Sequence, residues 1–107
     1  MKGTIKSRGD FERVFSRGGR SGDRLVRVRS VATGDDGPGR VAFVAAKRLG
    51  NAVYRNRCKR VLREAARLEG LPIAGRDVIL FSTNETHDSN PQEIAASLRK
   101  LLKEGDA

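Results

Sequence analysis

The chain of 107 residues predicts an α+β domain with elements in the order α-β-β-α-β-α. Three observations carry that reading. Apolar residues recur at helical spacing in three separate stretches, while three others alternate or run apolar over strand length. Clusters of Gly, Pro, Asn and Asp separate them. The length suffices for one hydrophobic core but not two, so residues 1–107 form a single domain.

Taken in order, Ser7-Arg8-Gly9-Asp10 resembles a helix start, with a capping hydroxyl and an acid in the first turn. Phe11, Val14 and Phe15 follow at i, i+3 and i+4, and Gly18-Gly19 ends the run, predicting a helix over about 8–17. Two of the four phenylalanines thus lie one turn apart. That spacing suits core packing and a stacking platform equally. Residues 24–32, RLVRVRSVA, alternate as a half-buried strand with Val26 and Val28 on one side and Arg27 and Arg29 on the other. The turn-rich linker TGDDGPG (33–39) leads to a second strand at 40–46, RVAFVAA, and predicts an antiparallel hairpin with a long loop. Residues 76–82, RDVILFS, read as a central strand. After the polar loop TNETHDSN, Pro91 opens a last helix over 91–103 with Ile94, Leu98, Leu101 and Leu102 as its buried stripe. The terminal EGDA is expected to fray.

The stretch 47–67, KRLGNAVYRNRCKRVLREAAR, is the most informative: it holds eight Lys or Arg against one acid, Glu64. Asn51 is placed to cap a helix here, and Gly70 followed by Pro72 to end it. Wound at ~100° per residue, Tyr54, Cys58, Val61, Leu62, Ala65 and Leu68 share an arc of roughly 120°. Arg55, Asn56, Lys59, Arg60, Arg63 and Arg67 share another of about 140°. One face can pack on a core while the other presents cations that repel one another unless a polyanion compensates them. Acids are too scarce for i,i+4 pairing to account for the row.

Charge is also divided along the chain. Net charge is +9, with +6 in residues 1–30, −1 in 31–46, +7 in 47–67 and −3 in 68–107. That polarity suits a domain with one side for an anionic partner and one for solvent. Membrane binding fits poorly, because the basic helix needs its apolar arc for a core. No stretch reaches the length of a membrane span and no apolar leader follows the N-terminus, so a soluble, cytoplasmic protein is expected. Cys58 is the only cysteine, which excludes an internal disulfide and a thiolate zinc site; on the apolar arc it reads as a small buried hydrophobe. His87, the only histidine, lies in a polar loop and is expected to be solvated. Neither a Ser/His/Asp set nor a metal cluster can be assembled, so no catalytic residue is predicted.

The segment KRLGNAVYRNRCKRVLREA resembles the protein subunit of bacterial ribonuclease P. That family's hallmark is a Lys/Arg pair, then GNAV, then R-N-R-x-K-R-x-x-R on a helix. Here these are Lys47, Arg48, Gly50, Asn51, Ala52, Val53, Arg55, Asn56, Arg57, Lys59, Arg60 and Arg63. DFERVF (10–15) is similar to the family's first helix, and DVILF and the last helix match in position. The resemblance implies a two-layer sandwich like the second domain of a small-subunit ribosomal protein. Its sheet would be mixed and four-stranded, packed with three helices, with a left-handed βαβ crossover around the basic helix. The residues show only three strands, so a short fourth is sought near 45–48.

The resemblance implies removal of the 5′ leader from precursor tRNA, with catalysis by an RNA subunit and Mg2+ bound mainly by that RNA. The implied RNA-subunit contacts are Lys47, Arg48, Asn51, Arg55, Asn56, Arg57, Lys59, Arg60, Arg63 and Arg67. The implied leader contacts, in a cleft between the first helix and the sheet, are Phe11, Phe15, Arg27 and Arg29. Arg29 departs from the family, which commonly has an aromatic there; a guanidinium can stack on a base and also bind phosphate. The C-terminus lacks a basic tail, so no RNA contact is expected from one. The expected partners are the catalytic RNA subunit and precursor tRNA, with no membrane and no DNA. The alternative is a structural RNA-binding protein or RNA chaperone with no processing role; an autonomous nuclease fits the residue inventory least.

Overall fold

Ser7 opens the first helix, its hydroxyl accepting from the Asp10 amide, and α1 runs Arg8–Arg17. It stops at Gly18, whose N–H donates to the Val14 carbonyl at 2.8 Å. A Cβ at Gly18 would collide with that carbonyl oxygen and crowd the Ser30 backbone, so only glycine lets the chain turn here. The computed structural model describes residues 4, 5, 7–34 and 37–105. Asp35 and Asp36 of the predicted linker, and residues 106–107 of the end expected to fray, lie outside them.

Four strands follow in one sheet: β1 Gly19–Gly22, β2 Val26–Ala32, β3 Arg40–Val44 and β4 Arg76–Ser82, in the spatial order β1-β2-β4-β3. β2 is antiparallel to both β1 and β4, and β3 is parallel to β4. A 3-10 turn at Lys47–Leu49 leads into α2, Ala52–Leu68, and α3 spans Pro91–Gly105. The result is a mixed α+β sheet with three helices, as expected. α2 connects the parallel pair β3 and β4, which makes a βαβ unit.

Two expectations about the sheet fail. β2 and β3 do not form a hairpin, because β4 lies between them. The physical reason lies in β4 itself: Val78, Ile79 and Leu80 are fully buried and need cover on both faces and both edges. The connection from β2 to β3 instead passes the start of β4, where the Thr33 amide donates to the Gly75 carbonyl and the Gly75 amide to that of Gly37. The fourth strand is not near 45–48 but at Gly19–Gly22. Those four residues, GRSG, pair Gly19 with Ser30 and Gly22 with Arg27. Two glycines in so short a segment erase any alternation, and the run reads as a helix stop. The Asp23 carboxylate closes the β1–β2 turn, accepting from the Leu25 and Val26 amides at 2.8 and 3.2 Å. A smaller difference lies at one end, where α3 continues two residues past 103; α2 begins at Ala52, directly after the expected Asn51 cap.

The core lies between one sheet face and the pair α2/α3. Val28, Val78 and Leu80 meet Leu62, Ile94 and Leu98 there, all at most 3% exposed. Each such side chain stabilises the fold by about 1.5–3 kcal/mol. The opposite face carries Arg27 and Arg29 of β2, Arg40 and Val44 of β3, and Asp77 and Phe81 of β4, as the strand register requires. α1 covers only one end of it. Asp77, fully buried, accepts from Arg13 Nη2 at 2.7 Å, from Arg40 Nη2 at 2.9 Å and from the Arg40 amide at 3.0 Å. Arg40 Nη1 reaches back to Asp10 of α1 at 2.7 Å. Among the described residues, no helix is long and apolar enough to cross a membrane.

Burial alone would raise the Asp77 pKa, but the hydrogen bond and charge of Arg40, with Arg13, outweigh it and hold the carboxyl below its ordinary value. A carboxyl lowered on folding contributes stability that is fully present above its unfolded pKa and is lost as pH falls through the folded one. Acid titration should therefore destabilise the protein below about pH 4, where unfolded aspartates protonate. Asp77→Asn should cost about 2–4 kcal/mol at neutral pH, measured by urea unfolding, and should flatten this acid limb. An unchanged acid limb in Asp77→Asn would remove Asp77 from the account.

Candidate nucleic-acid interface

Beyond the end of α1, the same sheet face stays open as a groove of about 800 Å³. Its lining includes Phe15 of α1, Arg20 of β1, Arg27 and Arg29 of β2, Val44 of β3, Arg48 of the 3-10 turn, Phe81 of β4, and Asn84 beyond it. Period-2 geometry brings Arg20 directly opposite Arg29, and Gly22 opposite Arg27, on the β1–β2 ladder. Four arginines thus face one groove. Asp23 is the only acid among the described residues that line it, and its carboxylate is already bound to turn amides.

The wall at Phe15 is aromatic. Phe15 is 42% exposed, stacks on Phe11 at 6.3 Å between centroids with a 16° tilt, and meets the edge of Phe81 at 6.0 Å. The Arg29 guanidinium carbon sits 4.1 Å from the Phe15 ring centroid, and Arg29 Nη1 donates to the Phe15 carbonyl oxygen. The spacing of Phe11 and Phe15 left core or platform open. At 42% exposure Phe15 is not a core residue, and half-buried Phe11 lies behind it.

The second surface is α2. Asn51 caps it, its side chain accepting from the Tyr54 amide at 2.9 Å. Cys58, Val61, Leu62 and Ala65 are buried as the apolar arc requires, and burial pushes the Cys58 thiol up. Leu68, placed on that arc, is instead 43% exposed, because α2 ends there and overhangs the core. On the polar arc Asn56, Arg60 and Arg63 are exposed, as are Arg57 outside it and Lys47 and Arg48 before the helix. Lys59 and Arg55 are half-buried, and Arg55 Nε is enclosed without a hydrogen-bond partner. Arg63 leans over the Phe43 ring at 5.4 Å, and Arg67 is paired with Glu64.

His87 is not simply solvated. Its ring stacks on Tyr54 at 4.1 Å with a 2° tilt, Asp88 bonds its Nδ1 at 2.8 Å, and Arg57 Nε donates to its carbonyl at 3.2 Å. The loop after β4 is thereby fastened to the first turns of α2. Sequence spacing could not show this, since 33 positions separate the partners. It also missed Arg20, Val44, Phe81 and Asn84, and assigned Arg48 to the helix surface alone. For Phe81 a signal existed: parity from the acid Asp77 puts it on the non-core face.

The ribonuclease P family model matches residues 2–105. The chain belongs to the ribonuclease P protein family. The ribonuclease P protein component of Gluconacetobacter diazotrophicus is 33% identical over 101 residues, covering 92% of this chain and 87% of that one. That of Staphylococcus epidermidis is 33% identical over 99 residues, with 92% and 86% covered. Among solved structures, the Staphylococcus aureus RNase P protein superposes with a TM-score of 0.78 at 29% identity, covering 96% of this chain and 94% of that one. The Thermotoga maritima RNase P protein, at 24% identity and a TM-score of 0.77 over 96% of this chain and 97% of that one, shares the fold. As a member of the ribonuclease P family, the chain is an RNA-binding component of a ribonuclease concerned with tRNA processing. The Tyr54–His87 stack should contribute about 0.5–1.5 kcal/mol to stability. His87→Ala should lose that amount in urea unfolding, and His87→Phe should recover most of it; equal stability of all three proteins would show the stack to be idle.

Proposed function

We propose that the protein binds the catalytic RNA subunit of ribonuclease P through α2 and the Lys47–Arg48 turn, and the 5′ leader of precursor tRNA in the groove, promoting leader removal. The observation that carries this is the presence of two chemically different basic surfaces. One is an exposed row of cations on a helix, suited to the phosphates of a folded RNA. The other is a groove with an aromatic wall and four arginines, suited to a single strand whose bases and phosphates are both accessible. Hydrolysis is assigned to the RNA subunit: His87 is occupied by Tyr54 and Asp88, and the thiol of Cys58 is buried. Among the described residues no three His, Cys, Asp or Glu gather to hold a metal ion. Magnesium is therefore proposed to lie mainly on RNA phosphates, and no protein ligand is assigned. The proposed location is the cytoplasm.

The direct test is reconstitution with a bacterial ribonuclease P RNA, following precursor tRNA cleavage at low magnesium. Cleavage should be faster with the protein, and the protein alone should cleave nothing. If the protein anneals RNA but leaves cleavage unchanged, the chaperone reading stands instead. Arg60→Ala and Arg63→Ala should each weaken RNA-subunit binding and lower the log–log salt slope by roughly 0.7–0.9. Phe15→Ala should cost on the order of 1–3 kcal/mol in binding of precursor tRNA to the holoenzyme, with mature tRNA bound as before. Equal losses for precursor and mature tRNA would remove Phe15 from the leader site.

A further inference from the structure

The groove contains one guanidinium unlike the other three. Arg20, Arg27 and Arg48 are exposed, whereas Arg29 is half-buried and held from two directions. Its Nη1 donates to the Phe15 carbonyl, and its Cζ rests 4.1 Å from the Phe15 ring centroid. Its Nε and Nη2 have no hydrogen-bond or ion partner among the described residues and are not enclosed. These two N–H groups form the lateral fork of the guanidinium: parallel donors in one plane, on the edge away from Nη1. The fork is therefore fixed in orientation before any ligand arrives, and little side-chain freedom is lost when it is used.

We infer that Arg29 makes the groove selective for guanine at one position of the bound single strand; this rests on the leader reading above. A lateral fork matches two adjacent acceptors on one edge of a planar group. Guanine offers N7 and O6 in that arrangement, while adenine sets an N6 amino donor beside its N7. Uracil has no two adjacent acceptors. Cytosine has N3 and O2 on its pairing edge but a smaller ring to lie along Phe15, and ranks second. Phosphate also has paired acceptors, but the site argues against it. Phe15 lies against Arg29, Phe81 meets Phe15 edge-on, and Ile79 is the cross-strand partner of Arg29 on β4, while the exposed Arg20 is its partner on β1. A planar base loses less hydration than a phosphate on entering such apolar surroundings. The three exposed arginines remain for the phosphates.

The test uses the reconstituted holoenzyme and precursor tRNAs with an all-adenine leader, into which G, C or U is placed at each leader position in turn. At one position G should bind roughly five- to hundredfold more tightly than A or U, with C between them. Arg29→Lys keeps the charge but loses the fork, and should abolish the preference along with Arg29→Ala. Arg27→Ala should weaken every leader alike and keep the preference. Melting curves of each variant establish that the fold is intact. The inference is overturned if no position prefers G, if the preference survives in Arg29→Lys, or if Arg29→Ala weakens all four bases equally while lowering the salt slope. If the wild-type holoenzyme binds precursor and mature tRNA equally, the leader reading itself has failed. A precursor advantage without base preference sinks only the role given to Arg29.

Discussion

A single buried carboxylate determines which part of the sheet is available for binding. Asp77 stands at the start of β4 on the face away from the α2/α3 core, with no exposure to solvent. An unpartnered carboxylate there would cost several kcal/mol. Arg13 from α1, and Arg40 from β3 through both side chain and amide, supply the partners, and Asp10 occupies the remaining reach of Arg40. α1 is thereby bound to one end of the sheet by ionic bonds, alongside its fully buried Val14 and the contact of Phe15 with Phe81. It covers that end and leaves the other open. The groove exists because α1 stops where Gly18 turns the chain into β1, so that Phe15 ends up as a wall beside Arg29.

The basic helix shows the opposite arrangement. Its buried side is ordinary, while its outer side concentrates like charges with little local relief. Glu64 pairs with Arg67 one turn away, which leaves Arg60 and Arg63 uncompensated within the helix. Such a row destabilises the free domain through self-repulsion. The enclosed Nε of Arg55 adds an unsatisfied donor. Departures of this kind from local consistency are the mark of a surface shaped for a partner. Adding acids to the helix would relieve the repulsion and, on the function proposed above, weaken phosphate binding at the same time.

How far the sequence could be read follows from the range of the interactions involved. β4 and α1 match their predicted bounds, and α2 begins where Asn51 caps it, because periodicity and caps act within one or two turns. The two faces of β2 followed from alternation, so Arg27 and Arg29 were placed together correctly. β1 was invisible because GRSG has no apolar pattern; it becomes a strand only by pairing with β2. The β2–β3 hairpin failed for a related reason. Sequential neighbours usually pair, but the need to bury β4 on all sides prevailed. Of the groove, the chain alone showed Arg27, Arg29 and Phe15; Phe11, expected there as well, lies behind Phe15 and does not line it. Arg20 and Asn84 come from segments whose placement depends on the sheet order, and so lay beyond local reading.

The turn between β3 and α2 is where the two surfaces meet. Arg48 lines the groove, yet it lies three residues before the Asn51 cap of the basic helix. Gly50, with φ of 156°, lies so close to Tyr54 that a Cβ would stand 2.9 Å from the ring carbon Cγ. Any side chain at position 50 would push Tyr54 away from this turn. Tyr54 in turn carries His87, whose carbonyl is held by Arg57. The corner is thus rigid from the 3-10 turn to the loop after β4, and that loop also supplies Asn84 to the groove. A single strand lying along the sheet and an RNA docked on α2 would contact opposite sides of this one packed corner. On the function proposed above, their relative position would be set by the packing of this corner.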